Sequence, residues 1–213
     1  LVHINFADNE NPVIDKLSVD FEQYDYSLCI VDTKGSHADL SGEYSAIPID
    51  MKKVAAYFKK EYLTQVAEEE FYREIPRIRE VVGDRCVLRA IHFFDDNRRV
   101  GQEVEALRAN QFGRFKELVR ESGNSSYKYL QNVYANMDFE NQSIPMALAL
   151  SEKELEDNGV CRVHGGGFAG TIQVFIKNDA VNAYQATMEY YFGKGSCHVL
   201  KIRKYGGIRV IGG

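Results

Sequence analysis

The sequence predicts an α+β fold, and three observations carry the prediction. Short β-branched, apolar runs open and close the chain. A long stretch between them places apolar residues at helical spacing. The final third then reads strand, glycine-rich turn, strand, helix, strand.

Taken in order, residues 1–6 alternate apolar and polar, a strand pattern, and residues 8–12 (Asp-Asn-Glu-Asn-Pro) supply turn chemistry. Residues 13–19 read as a second strand. Residues 26–33 form a better one, whose nearly continuous apolar centre predicts burial on both faces. A loop with Gly35 and Gly42 follows. From Pro48 to about Ile144 the chain reads as mostly helical. Val100, Val104 and Leu107 sit at helical spacing, as do Phe112, Phe115, Leu118 and Val119, and then Tyr127, Leu130, Tyr134 and Met137. Strands follow at 160–164 and 171–176. A helix over 180–192 carries the stripe Val181, Tyr184, Met188, Tyr191 and Phe192, with Asn178-Asp179 as its cap and Gly193 at its end. A last strand covers 197–202. The order β-α-β-β-α-β is the split βαβ, or ferredoxin-like, arrangement, with extra helices in the first crossover and two helices on one face of an antiparallel sheet.

Composition narrows the function. The 213 residues are 45% hydrophobic and 27% charged, as in ordinary globular domains. A net charge of −5 argues against a nucleic-acid partner. Cys29, Cys86, Cys161 and Cys197 are widely spaced with no CxxC pair, and three lie in strand-like runs, as small buried hydrophobes do. This predicts a reducing, cytoplasmic compartment. No stretch has the length of a membrane span, and no signal-peptide pattern opens the chain. Leu1 in place of Met fits processing or a fragment.

The run His164-Gly165-Gly166-Gly167-Phe168-Ala169-Gly170 is the most informative feature. Glycine between two strands marks a turn with unusual φ or a backbone that something approaches closely. Gly165-x-Gly167-x-x-Gly170 matches the dinucleotide fingerprint in form only, because that fingerprint must open a helix and strand chemistry follows here. A flexible β-hairpin turn is the plain alternative. His164 abuts the run, within reach of a phosphate or simply at the end of a strand. His3, His37, His92 and His198 are too scattered to argue a metal site. Glu68-Glu69-Glu70 and Asp95-Asp96 read as solvated helix faces, and Arg98-Arg99 as salt-bridge partners of that acidic pair.

The segment Val163–170 with its intact Gly-Gly-Gly-Phe core resembles the third motif of the GHMP small-molecule kinases, most closely that of the galactokinases, although His164 and Ala169 depart from it. The stretch from Val31 through His37-Ala38-Asp39-Leu40 to Ser41-Gly42-Glu43-Tyr44 resembles the galactokinase segment ending in Ser-Glu-Tyr. Ser45-Ala46 stands where arginines usually follow. Residues 99–126 resemble the helical part of the same domain more loosely, with Ser122-Gly123-Asn124-Ser125-Ser126 in place of Ser-His-x-Ser-Leu.

The resemblance implies that residues 1–213 form one C-terminal domain of such a kinase, without its N-terminal ATP-binding domain. It places Tyr44 beside the sugar. Gly165, Gly166, Gly167 and Phe168 then support the phosphate loop of the other half, because residues without side chains let that loop pack closely. The family's catalytic aspartate, nucleotide loop and N-terminal sugar-gripping segment have no counterpart here. The resemblance therefore implies no catalytic residue and no metal ligand in this chain. ATP and Mg²⁺ belong to the complete enzyme, with neither expected on this chain alone. The implied reaction is phosphorylation of galactose at its C1 hydroxyl, with the N-terminal kinase domain as partner and no nucleic-acid or membrane partner. The alternatives are a kinase for another sugar, such as an N-acetylhexosamine, and a non-catalytic galactokinase-like sensor.

Overall fold

In a computed structural model, residues 7–9, 36–39, 169 and 202–213 and the side chain of Glu22 lie outside the described residues. The expected turn at Asp8-Asn9, His37, Ala169 and the end of the last strand fall there.

A four-stranded antiparallel sheet organises the chain. Its strands are β3 (Tyr26–Asp32), β4 (Gly159–His164), β5 (Thr171–Lys177) and β6 (Cys197–Leu200), in the order β4-β5-β3-β6. This is the split βαβ order. β3 occupies an inner position and pairs Cys29 with Val174 on one side and with Val199 on the other. A separate hairpin, β1 (Val2–Asn5) with β2 (Val13–Lys16), precedes it. β2 stops at Lys16, short of the expected Val19.

Both faces of the sheet are covered, which explains the continuous apolar centre of β3. On one face Cys29, Val31, Val163, Ile172, Val174 and Ile176 pack against α5 (Ser143–Leu155) and α6 (Val181–Phe192). On the other, Leu28, Val160 and Phe175 meet α4 (Phe112–Ser125) through Phe112, Phe115, Leu118 and Val119. The two helices expected on one face are α5 and α6, and α4 covers the other. Phe115 meets the Phe175 ring edge-on at 5.4 Å, so the second layer is an aromatic core. The remaining helices α1 (Ser41–Tyr57), α2 (Glu68–Val82) and α3 (Asp84–Arg108) bury Val54, Phe71, Ile78, Ala90 and Phe94 among themselves.

Several local expectations change. The first long helix begins at Ser41, so Gly42 and Tyr44 lie in its first turn and Pro48 in its interior. The helical spacing of Tyr134 and Met137 is accidental. α4 runs into a single π turn, Ser126–Leu130, and Gln131 then adopts left-handed angles (φ 57°, ψ 47°) that end it. Met137 is 80% exposed. Helix α5 follows, unanticipated by periodicity. Asn178 does not cap α6. Its side chain donates to Asp25 at 2.8 Å and accepts from Ser27 at 2.8 Å, which ties the α6 entry to the start of β3. Gly193 (φ 91°) does end α6, and Tyr191 points outward.

All four cysteines are free and buried. Among the described residues no helix is long and apolar enough to cross a membrane, and no three His, Cys, Asp or Glu side chains gather as a metal site.

The α3–α4–β4 junction buries charge. Asp96 accepts from Ser122 at 2.8 Å and pairs with Arg99, and Arg162 donates to Ser122 at 2.7 Å. Burial pushes Glu103 up to about 7, against the pull of Arg162 and Arg99. An unfolded chain ionises glutamate near ~4.3. Folded Glu103 therefore keeps its proton through a window where the unfolded chain has lost it, and stability falls as pH rises from about 4.3 toward 7. Glu103→Gln is expected to stabilise the chain by about 2 kcal/mol at pH 8 and to be neutral near pH 4. Urea midpoints of both forms at the two pH values check this.

Candidate functional site

Two segments 123 residues apart meet at one end of the sheet. The β4–β5 connection carries the glycine run. The first turn of α1 carries Glu43 and Tyr44. Tyr44 Oη donates to the Gly167 carbonyl at 3.0 Å, and its ring meets the Phe168 ring edge-on at 5.1 Å.

Both reasons for glycine operate in the run. Gly165 and Gly167 take φ of 65° and 82°, and Phe168, no glycine, takes 61° while almost wholly buried. Left-handed angles cost an L-residue about 1–2 kcal/mol, so Phe168 has to be held there. Its N–H donates to the Asn132 carbonyl at 2.6 Å, and the Tyr44 ring packs against it. Close approach explains the other two positions. A Cβ on Gly166 would sit 2.5 Å from the Tyr44 ring, and one on Gly167 would sit 1.9 Å from the Asn132 carbonyl oxygen. Gly165 meets nothing within 4 Å.

Sequence reasoning missed Asn132. Its backbone carbonyl receives Phe168 and its amide donates to the Gly166 carbonyl at 3.2 Å. It acts chiefly through its main chain, which leaves no residue-type signal. Asn136 lies four residues on. Its backbone N–H and amide donate to the buried Glu43 carboxylate at 2.6 and 3.0 Å. Glu43 thus fixes the 131–136 segment to α1, while Tyr44 beside it fixes the glycine run. At the far end of the run, Thr33 donates from N and from Oγ1 to the Gly170 carbonyl, at 3.0 and 2.7 Å.

A buried ion pair sets the position of Asn132. Arg89, without accessible surface, donates from Nη1 to Asp50 at 2.8 Å and from Nε to the Leu130 carbonyl at 3.2 Å. Leu130 ends the π turn two residues before Asn132. Burial pushes Asp50 up, but Arg85 at 2.7 Å and Lys53 at 3.3 Å outweigh it, and the carboxyl stays below its ordinary range. Burial likewise holds Arg89 below its ordinary value, against the attraction of Asp50.

His164 is exposed and pairs through Nδ1 with Gln173 Oε1 at 3.1 Å. His92 is buried against Ser125, and burial lowers its pKa. Arg98 and Arg99 do pair with Asp95 and Asp96, three residues earlier on α3.

No family model matches the chain. A galactokinase of Glaesserella parasuis serovar 5 (strain SH0165) is 27% identical over 158 residues, 74% of this chain and 39% of that protein. One from Haemophilus influenzae (strain PittGG) is 25% identical over 159 residues. The crystal structure of Lactococcus lactis galactokinase complexed with galactose superposes with a TM-score of 0.64 at 20% identity, over 89% of this chain and 47% of that one. The chain is similar to the C-terminal domain of galactokinases. Its fold is that of the GHMP kinases. The L. major mevalonate kinase complexed with R-mevalonate shares it at a TM-score of 0.52 and 11% identity, over 90% of this chain and 46% of that one. This galactokinase-like chain spans about two fifths of the length of the curated relatives it matches (39% and 38% for the first two).

Two expectations follow from the geometry. Gly167→Ala forces a Cβ onto a carbonyl oxygen at left-handed φ and is expected to cost at least about 2 kcal/mol, while Gly165→Ala carries only the backbone strain of about 1 kcal/mol. Asp50→Asn leaves the Arg89 charge buried and is expected to cost about 3–5 kcal/mol. Urea unfolding of the three variants measures both.

Proposed function

We propose that residues 1–213 form the C-terminal domain of an ATP-dependent sugar kinase that phosphorylates galactose at the C1 hydroxyl, and that Tyr44 and the glycine run are one wall of its active site. The similarity to galactokinases supports a GHMP sugar-kinase fragment. The observation that carries the finer reading is the meeting of Tyr44 with Gly166, Gly167 and Phe168. The two segments that resemble galactokinase motifs in sequence are one structural unit.

Chemistry limits what this wall does. Phosphoryl transfer rests on positioning and charge neutralisation, and ATP supplies the transferred group. The exposed backbone at Gly165 and Gly166 offers a surface that a nucleotide or its binding loop can approach. In this reading Mg²⁺ enters with ATP at the nucleotide loop of the other half, and no residue of this chain is given a part in holding it. Tyr44 is 42% exposed, and its hydroxyl proton is committed to the Gly167 carbonyl. It therefore meets a sugar as an acceptor, taking a hydrogen bond from a sugar hydroxyl. In this reading the general base and the nucleotide loop come from an N-terminal kinase domain, and the enzyme works in the cytoplasm.

The 213-residue chain is expected to show no turnover with ATP and galactose in a coupled ADP-release assay, and robust turnover would overturn the division of labour proposed here. A chain extended to the full length of its relatives is expected to turn over galactose. In that longer chain Tyr44→Phe should raise the galactose KM several-fold. A panel including N-acetylgalactosamine separates the sugar alternatives, and no turnover with any sugar would favour a sensor.

A further inference from the structure

A cavity of about 290 Å³ lies along the free edge of β4, enclosed by the end of α4, the π turn and α5. Three cations line it, Arg120, Lys128 and Arg162, against one acid, Glu152. Most arginines of α3 and α4 are neutralised. Of the seven arginines on α3 and α4, Arg85, Arg89, Arg98, Arg99, Arg108 and Arg114 each pair with a carboxylate. Arg120 is the exception, and among the described residues no ion pair joins Arg120, Lys128, Arg162 or Glu152.

Arg162 is fixed in place rather than freely mobile. Its Nη1 donates to the buried Ser122 hydroxyl at 2.7 Å and its Nε to the Val163 carbonyl at 3.2 Å, and Ser122 is itself anchored on Asp96. Those bonds use two of five N–H donors and leave the others for a ligand. Gly123 permits this arrangement, since a Cβ there would press to 2.9 Å from the Arg162 Cβ. Leu148 and Tyr127 add apolar surface to the cavity wall.

We propose that this cavity binds a phosphate monoester, with the phosphoryl group among Arg120, Lys128 and Arg162 and its small organic part against Leu148 and Tyr127. The charge balance favours this class. Arg162 also faces Asp96, through Ser122, and Glu103 on its α3 side, so the free excess lies with Arg120 and Lys128, whose two charges against Glu152 leave a positive wall that an oxyanion neutralises. Arginine's forked donors suit tetrahedral oxyanions. The inference does not depend on the kinase reading, because the cavity lies away from Tyr44 and the glycine run.

The test is an amide-shift NMR titration of the whole chain at constant ionic strength with glycerol 3-phosphate, inorganic phosphate and glycerol. Glycerol 3-phosphate is expected to shift Gly123, Lys128 and Arg162 saturably and to bind more tightly than phosphate, while glycerol does nothing. Arg120→Gln and Lys128→Gln should each weaken binding about tenfold, the loss of one charge-assisted contact. Glu152→Gln should tighten it, a change that a purely structural role would not produce. Absence of saturable shifts, shifts confined to residues 164–168, variants that bind as the wild type does, or phosphate binding as tightly as its ester would each overturn the proposal.

Discussion

The buried pair of Arg89 and Asp50 is the constraint on which the candidate site rests. Neither group has appreciable contact with water, so each depends on the other. The same guanidinium holds the Leu130 carbonyl, where the π turn ends. It therefore joins α1, α3 and the segment that leads into Asn132. A buried charge does not stabilise a fold cheaply, and apolar residues often do as well. What this pair supplies is a fixed position. Arg85 and Lys53 at the rim keep Asp50 ionised, so that position persists into acid conditions.

From that anchor the order of causes is short. Asn132 takes up Phe168 and fills the space beside Gly167, and Glu43 grips Asn136 and holds the intervening backbone. Tyr44, one residue along, closes over Gly166 and Phe168. Phe168 remains in a strained conformation because Asn132 and Tyr44 determine its place. A glycine run that reads in sequence as flexible is, in the fold, held by close contacts at Gly166, Gly167 and Phe168.

The sheet was legible because its strands are apolar on both faces and glycine or turn residues bound them. The β-α-β-β-α-β order then left few topologies, and the observed strand order is one of them. The start of α1 was hidden because Gly42 and Pro48 both read as helix breakers. Packing overrides both, at the cost of the helical hydrogen bond that Pro48 cannot donate. Helix α5 was hidden because Pro145 and Ser143 near its start resemble a loop and its apolar face is short. The end of the α4 helix was misread for the opposite reason, since Tyr134 and Met137 happen to continue its spacing. Of the site, Glu43 and Tyr44 were visible, while Asn132, Asn136 and the buried Arg89 and Asp50 belong to no motif and were not. Glu43 and Tyr44 stand in a recognisable segment, whereas Asn132 contributes a carbonyl that any residue possesses.

The occupancy of the three glycines bears on how the two halves of a kinase of this class would meet. If their purpose were only to admit a loop from another domain, all three should face open space. Two do not on their Cβ side: the Tyr44 ring already stands against Gly166, whose other flank is exposed, and Asn132 already fills the place beside Gly167. Only Gly165, at the exposed start of the run, is open. The chain thus builds and rigidifies this wall with its own residues before any partner arrives. In the proposed enzyme the second half would then dock against a finished surface at Gly165 and the exposed flank of Tyr44. Preorganisation of that kind spares the entropy of ordering the loop during binding.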